Sequence, residues 1–211
     1  MEQRCWNRTF HNARMTAIYF TDNMENIYKK VQFNRFGIST TGSGPDKMYG
    51  LAQCYNYLSQ VECALCFSRL RTIAPFCFPN ISGRVYLDGC FLRVEDYVFY
   101  KEALGPTDHA ICGNTTRYGR AFVASAGKVV AVAVSKAEAN GGYGEGRESS
   151  SAYAMASCLR TLDAVNGARR TAKRRRWRTD HGKRCKADGA NDVGYRATKQ
   201  LSEGAFKVLV L

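Results

Sequence analysis

Six cysteines within the first ninety residues constrain what this chain can fold into more than any other feature. They are Cys5, Cys54, Cys63, Cys66, Cys77 and Cys90. An even number of closely spaced cysteines is typical of a disulfide framework. A domain of about a hundred residues has a small core, and each cross-link can add roughly 2–4 kcal/mol to its stability. Because disulfides persist in oxidising compartments, the pattern predicts a secreted or cell-surface protein.

A zinc site is the alternative interpretation of the same cysteines. Cys63 and Cys66 have the spacing of zinc ligands, and Cys77 and Cys90 would complete four thiolates. A zinc ribbon normally supplies two closely spaced pairs, however, and these last two cysteines lie far apart in the sequence. We therefore expect disulfides, with no metal ion and no other cofactor.

Three glycosylation sequons point to the same compartment. They begin at Asn7, Asn80 and Asn114, each followed two residues later by Thr or Ser. Such triplets also arise by chance, so each alone carries little weight. Together with the cysteines they favour a glycoprotein that passes through the secretory pathway.

An internal repeat divides the 211 residues into two domains. The motif CWNRT at 5–9 recurs as CGNTT at 112–116, and YGLAQC at 49–54 recurs as YAMASC at 153–158. Both halves also carry a helix-like stretch, at 20–31 and 122–136, followed by a glycine-rich turn region. A nearly constant period is what tandem duplication leaves in a sequence.

Patterning in the first copy predicts an α+β unit. Apolar residues recur at helical spacing over 20–31, and 47–53 suits a short strand. Ser59 and Glu62 form the pattern of a capping box, so a second helix is expected over 60–74, ended by Pro75. Residues 84–95 are strand-rich, with Gly89 at a bulge or close approach. We expect two helices packed on a mainly antiparallel sheet.

At these residues the chain resembles the plant DUF26 family, also called the Gnk2-homologous or stress-antifungal domain. The family's C-x8-C-x2-C signature is met by Cys54, Cys63 and Cys66, and GRVYLDGCFLR at 83–93 is similar to the family's next conserved segment. Tandem copies are typical of cysteine-rich receptor-like kinase ectodomains, cysteine-rich repeat secretory proteins and plasmodesmata-located proteins. The resemblance implies an extracellular recognition role in plant stress, defence or cell-to-cell signalling.

The resemblance also implies a disulfide pairing, which the sequence alone leaves open among fifteen connectivities. The implied pairs are Cys54–Cys63, Cys66–Cys90 and Cys5–Cys77. The implied domains are a complete copy at 1–108 and a truncated second copy at 109–166, followed by a non-family tail at 167–211 that we expect to be disordered. Association between DUF26 domains, with the same chain or another, is a further expectation.

A mannose-type glycan is one candidate ligand, and a protein is the other. One family member binds mannose through an Asn, an Arg and a Glu, and the last two positions correspond to Arg84 and Glu95 here. The Asn position holds Trp6 in the first copy and Gly113 in the second, which weakens the inference. Arg84 and Glu95 also fit a cross-strand charge pair, and we favour that structural interpretation.

The second copy departs from the family pattern after Cys158. Cysteines are expected at 167 and 170, where the chain has Gly167 and Arg170. Residues 167–211 carry 13 Lys and Arg against 4 Asp and Glu, and so hold +9 of the total net charge of +13. A non-functional, truncated product is one interpretation. A nuclear or nucleic-acid-binding tail is another, but no recognition module surrounds the basic run, so we do not expect nucleic acid as a partner.

No enzymatic activity is expected. His11, His109 and His181 lie in no metal or catalytic pattern and are interpreted as surface residues. The glycine-rich segment 142–146 lacks a following lysine and is interpreted as a flexible turn. The sequence shows neither a signal peptide nor a membrane span, so secretion is predicted from the cysteines, the sequons and the resemblance.

The abrupt change of composition after 166 suggests a shifted reading frame, a retained intron or a mis-joined gene model. Translation of the genomic DNA in the other frames is then expected to recover the missing Cys-x2-Cys. If every frame lacks it, the tail is a genuine part of the gene product.

Overall fold

The computed structural model describes residues 2–102, 109–110, 116–117, 120–140, 142–148, 152–161, 195–196, 201–203 and 206–210. The chain divides into two compact units, Met1–Tyr100 and Lys101–Leu211. Both units combine helix with antiparallel sheet, so the α+β prediction is confirmed. The domain boundary expected at 108 falls among residues that the structure does not describe, and it stays a prediction.

The first unit is built on a five-stranded antiparallel sheet. Its strands are β1 Glu2–Cys5, β2 Phe36–Thr41, β3 Met48–Cys54, β4 Gly83–Tyr86 and β5 Cys90–Glu95. They lie in the order β1-β4-β5-β3-β2, so β5 is at the centre and β1 and β2 are the edges. β5 is buried along its whole length, as expected of a central strand covered on both faces.

Helix α1, Ala13–Asn34, is longer at both ends than its apolar pattern predicts. Asn12 caps its first turn by accepting a hydrogen bond from the backbone N–H of Met15 at 3.1 Å. The buried carboxylate of Asp46 accepts from the backbone N–H groups of His11 and Asn12 at 2.7 and 2.9 Å. The helix ends where Arg35 adopts the left-handed conformation with φ 56°.

Helix α2, Gln60–Ile73, confirms the sequence prediction closely. The capping box is complete, because the Ser59 hydroxyl accepts from the Glu62 N–H and the Glu62 carboxylate accepts from the Ser59 N–H. Hydrogen bonds from the Ser59 backbone N–H and, to a lesser extent, from the Ser59 side chain lower the pKa of the Glu62 carboxyl. A short 3-10 helix, Ala74–Cys77, follows and includes Pro75, which ends α2.

The core of the first unit lies between the two helices and one face of the sheet. Its members include Met24, Ile27, Val31, Met48, Ala52, Phe67, Leu70, Val85, Leu92 and Val94. The buried polar residue Asn23 connects α1 to the sheet by hydrogen bonds. Its side-chain amide donates to the Ser39 carbonyl at 3.3 Å and to the Thr41 hydroxyl at 3.1 Å. A Cβ at Gly50 would lie 1.9 Å from the Asn23 Oδ1, so only glycine fits there.

Three disulfides connect the α2 segment to three different strands. Cys63 of α2 is joined to Cys54 of β3, and Cys66 of α2 is joined to Cys90 of β5. Cys77, in the 3-10 helix, is joined to Cys5 of β1. These are the three pairs that the family resemblance implies. They also account for all four cysteines of the zinc alternative.

The second unit repeats the packing of a helix on an antiparallel sheet. Its described elements are α3 Arg120–Ala139 and β6 His109–Ala110, β7 Thr116–Arg117, β8 Tyr143–Glu148, β9 Ala152–Cys158, β10 Tyr195–Arg196, β11 Leu201–Glu203 and β12 Phe206–Val210. The main sheet has the order β6-β11-β12-β9-β8, and β7 and β10 form a separate pair. Along the chain α3, β8 and β9 correspond to α1, β2 and β3 of the first copy.

Small side chains let α3 approach its sheet closely. The core of this unit contains Val129, Ala133, Ala137 and the alanines of β9. A Cβ at Gly144 would lie 2.1 Å from the Ala133 carbonyl oxygen, and one at Gly146 would lie 2.1 Å from the Val129 carbonyl oxygen. The interpretation of 142–146 as a flexible turn is therefore wrong for 143–146, because Gly144 and Gly146 belong to β8 and make room for the helix backbone. Gly142, with φ 100°, lies in the turn that precedes the strand.

Part of the segment 167–211, which the sequence analysis predicts to be a disordered tail, forms strands in the main sheet of the second unit. β12 pairs with β9 over Phe206–Val210, and β11 pairs with β12. The sequence FKVLV at 206–210 is rich in β-branched and apolar residues, which explains why it adds to a sheet instead of remaining disordered. Residues 162–194, which include the basic run and Cys185, lie outside the described residues.

Limited reduction is expected to open Cys5–Cys77 before the other two disulfides. Cys5 is exposed at the sheet edge, whereas Cys54, Cys63 and Cys90 are buried, and attack by a thiolate requires access to sulfur. Alkylation of the released thiols, followed by peptide mass spectrometry, gives the order in which the three disulfides are reduced. Earlier labelling of Cys54 or Cys90, in protein that keeps its native circular dichroism, would contradict this prediction.

Gly144→Ala is expected to destabilise the chain by about 2–3 kcal/mol, because the new methyl group meets backbone atoms of α3 that cannot move aside. Gly127→Ala is the matched control, since a Cβ at this position of α3 meets nothing within 4 Å. Replacing glycine inside a helix should stabilise by roughly 0.5–1 kcal/mol. Urea unfolding followed by circular dichroism measures both, and equal midpoints for the two variants would refute the close-packing argument.

Candidate functional site

Arg84 and Glu95, the residues proposed from the family's mannose site, lie on β4 and β5 of the first unit. Val85, Leu92 and Val94 belong to the core beneath the helices. Because side chains alternate along a strand, Arg84 and Glu95 are on the opposite face of the sheet. The structure therefore brings the two residues together, on the face of the sheet that points away from the helices.

A third charged residue, Arg93, completes the cluster. Arg93 Nε donates to Glu95 Oε1 at 2.6 Å, and Arg84 Nε lies 3.7 Å from the same oxygen. Both arginine side chains are 1% exposed and the Glu95 side chain is 4% exposed. One buried carboxylate thus faces two buried guanidinium groups. Sequence reasoning missed Arg93, although its position two residues before Glu95 on one strand places both on the same face.

Aromatic rings pack against this cluster. The Trp6 ring lies 4.9 Å from the Arg84 guanidinium carbon, and the Phe99 ring lies 4.1 Å from that of Arg93. Arg93 Nη2 also donates to the Tyr97 hydroxyl at 2.9 Å. Trp6 occupies the position at which the family's sugar-binding Asn is expected. The replacement of the expected Asn by Trp6 therefore places an aromatic ring over the Arg84 guanidinium group.

The electrostatics of the cluster are those of a buried ion pair. Burial raises the pKa of the Glu95 carboxyl, while Arg93, Arg84 and a hydrogen bond from Ser82 act in the opposite direction. Guanidinium groups cannot release their protons in proteins, so the cluster keeps positive charge inside the sheet. With so little of these side chains exposed, the geometry supports the cross-strand charge-pair interpretation. A sugar hydroxyl would have to displace protein atoms to reach Glu95.

Two of the three glycosylation candidates, Asn7 and Asn80, lie in the first unit. Asn7 is exposed and Asn80 is half-buried, whereas Asn114 lies outside the described residues.

His11 is exposed, as expected. Where the structure describes the chain, no group of three or more His, Cys, Asp or Glu is placed to hold a metal ion. None of the helices in those same ranges is long and apolar enough to cross a membrane.

Comparison with a family model identifies the first unit. Residues 4–97 match the family described as salt stress response/antifungal. The matched range covers the end of β1, all of β2 to β5 and both α-helices of that unit, together with its three disulfides.

Curated relatives extend the similarity into the second unit. The chain is 44% identical to cysteine-rich receptor-like protein kinase 2 of Arabidopsis thaliana over 158 residues, which are 72% of this chain and 24% of the relative. It is 27% identical to plasmodesmata-located protein 7 of the same plant over 135 residues, or 62% of this chain and 42% of that protein. The chain therefore spans less than half the length of either relative.

Solved structures show the same fold over the whole length. The tandem DUF26 ectodomain of the Arabidopsis thaliana cysteine-rich receptor-like protein PDLP8 superposes with a TM-score of 0.75 at 16% identity, covering 100% of this chain and 96% of that one. The corresponding ectodomain of PDLP5 gives a TM-score of 0.73 at 15% identity, with 100% and 97% covered. The first unit therefore belongs to the salt stress response/antifungal domain family, also called DUF26, and the chain shares the fold of the solved tandem DUF26 ectodomains.

Proposed function

We propose that this chain is an extracellular recognition module acting in plant stress, defence or cell-to-cell signalling. The observation that carries the proposal is its similarity to a cysteine-rich receptor-like kinase over 158 residues that make up only 24% of that relative. The matching fold belongs to proteins whose solved portions are described as ectodomains. The apoplast or the cell surface is the proposed location.

The disulfides of the first unit support this location. Three cross-links within Met1–Tyr100 would be kept reduced in a cytosol and are stable in an oxidising compartment. They also fix the loops at the strand ends relative to the sheet. Fixed loops lose less entropy when they bind a ligand, which suits a recognition module.

The proposed ligand is a protein or a carbohydrate that binds exposed residues. Burial of Arg84, Arg93 and Glu95 supports a structural role for this cluster, which holds β4, β5 and the covering aromatic rings together. A mannose-type glycan held by Arg84 and Glu95 is the competing proposal. Association with a second DUF26 domain is included among the protein ligands.

Binding of the oxidised protein, produced through a secretory pathway, is the test of the proposed function. We expect saturable binding either on an array of mannose and mannan glycans or on a panel of plant ectodomains that includes this chain. A reduced and alkylated sample should lose the signal, because the disulfides hold the fold. Oxidised protein that binds nothing in either arm would contradict the proposal.

Glu95→Gln separates the two proposals for the ligand, with the neighbouring Asp96→Asn as its matched control. Asp96 is half-buried, with its side chain 17% exposed, and pairs with the exposed Arg8 at 2.6 Å. We expect both variants to retain binding, because the Glu95 carboxylate is buried away from ligands. Glu95→Gln should itself lower the unfolding midpoint, because it leaves two buried guanidinium groups without a carboxylate. Loss of mannan binding in this variant alone, in protein that circular dichroism shows to be folded at the assay temperature, would instead assign a sugar site to Arg84 and Glu95.

A further inference from the structure

Two phenylalanines stand unusually exposed beside a glycosylation sequon in the first unit. Phe76 is 78% exposed in the 3-10 helix, and Phe78 is 39% exposed just after it. The sequon Asn80-Ile81-Ser82 begins two residues beyond Phe78. Exposed aromatic rings cost free energy in water, so a covering group attached nearby would be stabilising.

The backbone around Asn80 is fixed by hydrogen bonds. The Ser82 carbonyl accepts from the Trp6 N–H at 3.0 Å, and the Ile81 N–H donates to the Arg8 carbonyl at 2.9 Å. The Asn80 N–H donates to the Cys77 carbonyl at 2.8 Å and closes a turn that contains Phe78. Whatever is attached to Asn80 is therefore held near this turn.

Phe78 is held in place as well. Its ring packs edge-on against Phe20 with centroids 6.0 Å apart and at a tilt against Phe10 at 6.1 Å. Phe78 and Asn80 line the same small cavity, together with Phe20 and Thr16. Among the described residues, none forms a hydrogen bond with the Asn80 side-chain amide, which leaves it available for modification.

We propose that Asn80 carries an N-linked glycan whose first sugar packs on the exposed part of the Phe78 ring. The C–H groups on one face of a pyranose match the electron-rich face of an aromatic ring, and their contact removes apolar surface from water. The inference rests on the proposed function, because the modifying enzyme works in the secretory pathway. It goes beyond that function in giving the glycan a structural role in this domain.

The modification is a group transfer from a lipid-linked diphosphate oligosaccharide. The Asn80 Nδ2 attacks C1 of the first sugar, so that a C–N bond forms and the C–O bond to the diphosphate breaks. Nδ2 loses one proton, and the lipid diphosphate leaves with the electron pair of the broken bond. No oxidant or reductant is needed.

Asn7 offers a matched control within the same unit. Its sequon lies on the chain segment that faces the Asn80 sequon, since Thr9 and Asn80 form an isolated bridge. The residue two positions before Asn7 is Cys5, so a glycan on Asn7 has no phenylalanine at the corresponding place. Glycans on Asn7 and Asn80 thus differ in the aromatic contact.

The test uses the full chain secreted from plant cells, with the glycans trimmed enzymatically to a single sugar. We expect peptide mass spectrometry to find that sugar on Asn80, and Asn80→Gln to lower the Tm by roughly 2–4 °C, the shift expected of a modest contact in a chain of this size. Asn7→Gln should leave the Tm unchanged. Secreted, disulfide-bonded protein with an unmodified Asn80 would overturn the inference while leaving the proposed function intact.

A double-mutant cycle assigns the contact to Phe78. Phe78→Ser lowers the Tm by itself because it loses Phe10 and Phe20, but Asn80→Gln should then have no further effect if the sugar rests on that ring. Phe76→Ser is the control, in which Asn80→Gln keeps its full effect. Equal effects of Asn80→Gln with and without Phe78 would overturn the proposed packing.

Discussion

The attachment of one helical segment to the sheet through sulfur is the constraint on which the first unit depends. Every disulfide there has one cysteine in α2 or the following 3-10 helix and the other in a strand. α2 contributes only a narrow apolar stripe to the core, since Val61 and Leu65 are exposed on its outer face. Covalent links therefore supply stability that a domain of this size obtains poorly from burial alone.

The two copies share a helix packed on a sheet but differ in how they achieve it. In the first copy, Ile27 and Val31 fill the space and Asn23 forms hydrogen bonds with β2. In the second copy, alanines and glycines bring α3 and β8 close together. The same topology thus tolerates a large change in side-chain volume, provided that both facing surfaces change together.

Local signals predicted much of the fold and less of the candidate site. The capping box at Ser59 and the apolar spacing of α1 depend on neighbours in sequence, and both predictions are confirmed. The turn interpretation fails at Gly144 and Gly146 because glycine is required there by a tertiary contact. The backbone of α3 passes over both residues and leaves no room for a side chain. Arg84 and Glu95 were found through the family resemblance, whereas the partnership of Arg93 and the cover by Trp6 depend on strand register and cross-strand packing.

The position of β1 at the sheet edge gives Cys5–Cys77 a particular importance. β1 has only four residues and pairs with β4 alone, and Cys5–Cys77 is the cross-link that joins it to the body of the unit in addition to the backbone. If β1 came away, the backbone N–H and C=O groups of β4 would become a template for a strand from another molecule. The redox state of the surroundings would then decide whether β4 stays paired with its own β1 or pairs with a strand of a neighbouring molecule.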